Sequence, residues 1–132
     1  MEKIELTVFT PHNCGNSPQI KLIKELNIYM AKLEFRFFYD YLTDNVQWNI
    51  LGLRKLIGKD KVIEVMEEIQ FDNVLELNLH SIISHGTAGA VNGVVTMENQ
   101  KQYAYCSIYT FTSNSDDGKI KEMTTYFYEV ND

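Results

Sequence analysis

Tyr103, Tyr105, Ser107, Tyr109 and Phe111 occupy alternate positions of one stretch, Tyr103-Ala-Tyr-Cys-Ser-Ile-Tyr-Thr-Phe111. In a strand, alternate side chains share a face, so phenols and a hydroxyl would line one side of it. Such groups donate hydrogen bonds to a carbonyl oxygen and carry no charge near neutral pH. The stretch contains no charged residue, so nothing in it can serve as a base. Tyrosines in this pattern also have a plainer use, as core side chains whose hydroxyls reach the rim.

A base must come from elsewhere. His80 is in phase with Glu76, Asn78 and Ile82 on a preceding strand-like segment. An imidazole with a pKa near neutrality could act there as a base at a pocket mouth. A polar strand face accounts for the same residues without catalysis. His80 is the candidate catalytic group, with Asp40 and Asp44 as acids that could replace it. His85 falls in a predicted turn. His12 and Cys14 stand two apart on a loop, with nothing nearby to complete a metal set, so no metal is expected. Gly86, Gly89 and Gly93 interrupt strands without a following helix, so they cradle no phosphate and no cofactor is expected.

Periodicity defines the elements that would position these groups. Residues 2–9 alternate, with Ile4, Leu6 and Val8 on one face, which predicts a short strand. Ser17-Pro18 opens a helix as N-cap and first helical residue. Ile23, Leu26, Met30 and Leu33 form its apolar stripe. A second helix is predicted over residues 34–43. Phe35, Phe37, Phe38, Tyr39, Tyr41 and Leu42 make it aromatic nearly all round, hence largely buried. A short strand over 46–51 ends at Gly52. A third helix spans 59–69, with Val62, Ile63, Met66 and Ile69 inward and Asp60, Glu64, Glu67 and Glu68 as a solvated face. Beyond residue 73 the period becomes two. Strands are predicted over 74–84, 88–97, 101–112 and 119–130, an antiparallel meander. Helices on one face of a curved antiparallel sheet make an α+β fold.

A chain of 132 residues, 45% hydrophobic, forms one domain around one core. Its 18 acidic and 12 basic residues give a formal charge of −6. That argues against nucleic acid or an anionic membrane as partner. No apolar run approaches the roughly 20 residues that span a bilayer, and residues 1–5 lack the apolar core of a signal peptide. The chain has only two cysteines, Cys14 and Cys106, where a small secreted scaffold carries more. A cytoplasmic protein is the expectation.

Three blocks carry a resemblance. Leu42-Thr-Asp-Asn-Val-Gln-Trp48, Gly58-Lys-Asp60 before the third helix, and Met123-Thr-Thr-Tyr-Phe-Tyr-Glu-Val-Asn131 resemble, in order and spacing, the nuclear transport factor 2-like superfamily. Within it they resemble the SnoaL-like and ketosteroid-isomerase-like branch. The resemblance covers about residues 17–131 and makes 1–132 a single SnoaL-like domain; the strand signal at 2–9 lies outside the common pattern. It implies a cone, with three N-terminal helices packed on a curved antiparallel sheet made of the four-stranded meander plus a short strand. The cone encloses an apolar pocket at its wide end, and the convex side of the sheet commonly forms a homodimer. The superfamily hosts isomerases, cyclases, dehydratases, epoxide hydrolases and members without known activity, so the fold leaves function open.

Ketosteroid isomerases use a carboxylate base, with a Tyr and a protonated Asp that donate to the developing enolate oxygen. The resemblance places these at Asn49, near Leu26 with Tyr29 one turn on, and at Ser107. All three depart from the pattern, and an amide takes no proton at neutral pH, so these catalytic residues are not retained. The epoxide-hydrolase branch needs an Asp-Arg-Asp relay with a Tyr and an Asn that hold a water. Asn49 could match the Asn, but the meander strands carry no Asp or Arg for the relay.

If Ser107 points inward, as the resemblance implies, so do Tyr103, Tyr105, Tyr109 and Phe111. By the same alignment Met123, Thr125 and Phe127 point inward, and so do Ala90, Asn92 and Val94. Asn92 would then need a partner from protein, water or ligand. Trp48 and Asn49 lie on opposite faces of one strand, and either can face the pocket. The expected ligand-binding set is Trp48, Asn49, Asn92, Tyr105, Ser107, Tyr109, Met123 and Phe127. The expected partner is a small hydrophobic molecule. The alternatives are an isomerase, polyketide cyclase or hydrolase acting on a small hydrophobic carbonyl or epoxide, and an interaction module. Ala104, Cys106, Ile108, Tyr126, Tyr128 and Val130 form a face too apolar to stay fully wet, so a homodimer through the convex sheet is expected.

Overall fold

The structure, a computed structural model, describes residues 5–12, 15–69 and 72–130. Ser17 caps the first helix, α1 (Pro18–Ala31), by accepting a hydrogen bond from Ile20 N at 3.3 Å. Its inner stripe buries Ile23, Leu26 and Ala31, together with the polar Gln19 and Asn27. The helix stops before Leu33, which turns left-handed at φ 62°.

The aromatic run departs from expectation. Helix α2 is only Phe35–Tyr39. Within it only Phe38 is buried, while Phe37 is 49% exposed and stacks on Tyr29. The chain leaves the helix early because Tyr41 O accepts from Ile120 N at 2.7 Å. That bond commits Leu42 onward to sheet pairing, and strand β2 runs Leu42–Ile50. A strand not anticipated, β3 (Arg54–Ile57), folds back on β2. Leu51 and Gly52 both take positive φ in the turn, the geometry that matches hairpin twist. Leucine at a left-handed position is what hid this turn.

Helix α3 covers Lys59–Ile69 and buries Val62, Val65 and Met66. The meander follows as β4 (Val74–His85), β5 (Ala88–Met97), β6 (Gln102–Phe111) and β7 (Ile120–Glu129). An N-terminal strand, β1 (Thr7–Phe9), lies parallel to β4. The sheet therefore has seven strands in the order β1-β4-β5-β6-β7-β2-β3, not the meander plus one short strand. It is also mixed, because β2 joins β7 in parallel. Register shifts in β2, β4 and β6–β7 bend the sheet, as bulges do. Its concave side wraps α1 and α3.

The register corrects two expectations. Asn92 pairs with Cys106 and is exposed. Directly opposed residues share a face, so Asn92 lies on the convex side with Ala90 and Val94. Gly89, Val91 and Gly93 point inward instead, and all are buried. His80 sits at the β4 irregularity between Leu79 and Ser81 and is exposed. The irregularity breaks the alternation that placed it in phase with Ile82, which is buried. Among the described residues no helix is long and apolar enough to cross a membrane.

Candidate functional site: an apolar cavity with a polar floor

The cone encloses a cavity of about 220 Å³. Helix α1 contributes Asn27, Met30 and Ala31, and α3 contributes Met66 and Ile69. Leu77, Val95, Met97 and Tyr103 form one wall, and Trp48 and Phe127 face them from β2 and β7. Among the described residues Asp72 is the one in the lining with a formally charged side chain. One of its carboxylate oxygens accepts from Asn73 N at 2.9 Å.

A polar network crosses the floor. Asn27 lies on the buried stripe of α1 and links helix to sheet. Tyr105 donates to its Oδ1 at 2.7 Å. Asn27 Nδ2 donates to Ile23 O at 2.7 Å and to the Tyr109 hydroxyl at 3.1 Å. Trp48 Nε1 donates to Thr125 Oγ1 at 2.9 Å, and the Ser107 and Thr125 hydroxyls lie 3.1 Å apart. Burial pushes the Tyr109 phenol up to about 12, partly offset by hydrogen bonds from Asn27 and Ser107. Burial, and then the neighbouring Tyr109, push Tyr105 well above its ordinary 10.0. Both phenols are therefore neutral donors or acceptors rather than bases at physiological pH.

Trp48, Tyr105, Ser107 and Phe127 line this cavity. Tyr109 is buried beside it and reaches the network through Asn27. Met123 is 2% exposed and packs in the core outside the lining. The choice between Trp48 and Asn49 falls to Trp48. Asn49 lies on the other face of β2, where its Nδ2 approaches Glu122 Oε1 at 3.4 Å. Asn92 and His80 stand away from the cavity. Asn27 was not anticipated, although its signal was present: an amide four residues from Ile23 on an apolar helix stripe must find buried partners. Among the described residues no group of metal-ligating side chains is assembled. Cys14, half of the His12–Cys14 pair, lies outside the described residues.

No family model and no curated protein matches the chain. Solved structures do. An NTF2-like protein of unknown function from Burkholderia xenovorans superposes with a TM-score of 0.72 at 15% identity, over 86% of each chain. One from Cytophaga hutchinsonii gives 0.64 at 20%, covering 86% of this chain and all of its own. An LEH-like epoxide hydrolase from M. tuberculosis gives 0.66 at 17%, over 84% of this chain and 83% of its own. The cone of three helices and a curved sheet is thus the nuclear transport factor 2-like fold, as the sequence blocks implied.

Proposed function

We propose that this chain is a binding protein for a small, predominantly apolar molecule held in the cone cavity. The observation that carries this reading is the cavity itself: apolar walls around a few convergent polar groups, the usual make-up of a ligand site. Its volume, about 220 Å³, is below the roughly 300–1,000 Å³ of drug-sized sites, so the ligand is small. The test is native mass spectrometry of the purified protein, followed by denaturation to release whatever it carries. The expected result is a reproducible small apolar adduct. No adduct, together with no affinity for a panel of small hydrophobic carbonyls and lactones, would remove this reading.

A second reading is an enzyme of the isomerase, cyclase or hydrolase kind. The position of Asp72 favours it, since this acidic residue lines the same cavity as the neutral donors of the floor. On that reading Asp72→Asn abolishes turnover and leaves ligand binding intact.

The proposed assembly is a homodimer through the convex face. Ile83, Ala90 and Ile108 lie in one cross-strand row, and Cys106 pairs with Tyr126 in the next. Ile83, Ile108, Tyr126 and Tyr128 are 65%, 46%, 50% and 67% exposed. Contiguous apolar surface of this kind favours burial against a second copy.

A further inference from the structure

Three donors meet on the cavity floor: the Trp48 indole N–H and the hydroxyls of Ser107 and Thr125. Each carries one proton, yet only two hydrogen bonds join them. The indole proton goes to Thr125 Oγ1, and one hydroxyl proton bridges Ser107 and Thr125. The third proton has no acceptor among the described residues.

Thr125 accepts from Trp48, and either hydroxyl can donate across the Ser107–Thr125 contact, so one hydroxyl proton of this pair is left free, and both residues line the cavity. A buried donor without a partner costs far more than one that is paired.

We propose that the ligand of this cavity is uncharged and sets an acceptor oxygen (carbonyl, ether or hydroxyl) against the Ser107–Thr125 hydroxyl pair beside Trp48. This rests on the cavity being a ligand site. Charge supports it: among the described residues no Lys, Arg or His lines the cavity, so a carboxylate ligand finds no counter-ion among them and meets Asp72.

The test uses one bicyclic skeleton with three heads: decalin, 2-decalone and decalin-2-carboxylate. Trp48 is the only tryptophan of the chain, so its emission reports binding directly, with calorimetry as an independent readout. The ketone is expected to bind about tenfold tighter than the hydrocarbon, the effect of pairing one buried donor. The carboxylate is expected to bind no tighter than decalin. Equal affinity for decalin and decalone would overturn the inference while leaving the cavity a binding site. No binding of any of the three would overturn both. A combined Trp48→Phe, Ser107→Ala, Thr125→Val variant removes all three donors. By calorimetry it should keep decalin and lose the preference for ketone, and a preference that persists would also overturn the inference. If that variant does not fold, the wild-type series decides alone.

Discussion

Tyr105 donates its hydroxyl proton to Oδ1 of Asn27 at 2.7 Å, joining residues 78 apart in sequence. With the bond from Asn27 Nδ2 to Tyr109, it fastens α1 to the inner face of β6. One amide thereby satisfies two buried phenols. Replacing it with a side chain of similar bulk, Asn27→Leu, leaves both without that partner. The expected loss is about 1–3 kcal/mol of stability, read from urea unfolding. A second Tyr105→Phe substitution in that background should cost little more, because the partner is already gone.

The same two phenols make stability depend on high pH. Tyr109 is raised to about 12 from its ordinary 10.0, and Tyr105 is also raised well above 10.0. A group whose folded pKa is raised contributes stability that is complete below the unfolded value. That contribution is lost as pH climbs through the folded value. Urea midpoints should therefore fall between about pH 10 and 12, and Tyr109→Phe should fall less steeply. A midpoint that stays level across this window would contradict the burial of these phenols.

Gly93 faces the cone where β4 and β5 cross closely. A Cβ there would sit 2.5 Å from Asn78 O and 3.3 Å from Leu79 Cα, both backbone atoms. Gly93→Ala should cost about 1–3 kcal/mol, as overpacking does. At Gly89 the closest atom is the flexible Ile23 side chain, so Gly89→Ala should be the milder change. Parallel thermal unfolding of the two variants checks the order.

Charging the convex face tests assembly. Ile108→Glu with Tyr128→Lys should convert a dimer to monomers in sedimentation, while Trp48 emission and the cavity remain unchanged. A dimer that survives both substitutions places the contact elsewhere.

Much of this architecture was readable from residue order. Alternation grouped Ser107 with Tyr109 in β6 and Thr125 with Phe127 in β7, because side-chain direction in an unbroken strand is a property of the local chain, and the resemblance set those faces inward. The Ser17 cap and the span of α3 were likewise local. Asn92 and His80 were misplaced for a common reason. The face of β5 is settled by its register with β6, and the face of His80 by an irregularity in β4, neither of which is written in the strand's own pattern. The hairpin at Leu51-Gly52 was hidden because its first left-handed position carries leucine in place of the Asn or Asp that marks such turns.

The sequence by itself determined the α+β class of fold and the uncharged character of the aromatic strand. These follow from residue type and period. Only the tertiary structure decided that Trp48 rather than Asn49 enters the cavity, that Asn27 joins helix to sheet, and that Asp72 lines the cavity. Each of those is a contact between segments far apart in the chain. Such contacts are fixed by register and curvature once the sheet has closed around its helices, and no local pattern records them.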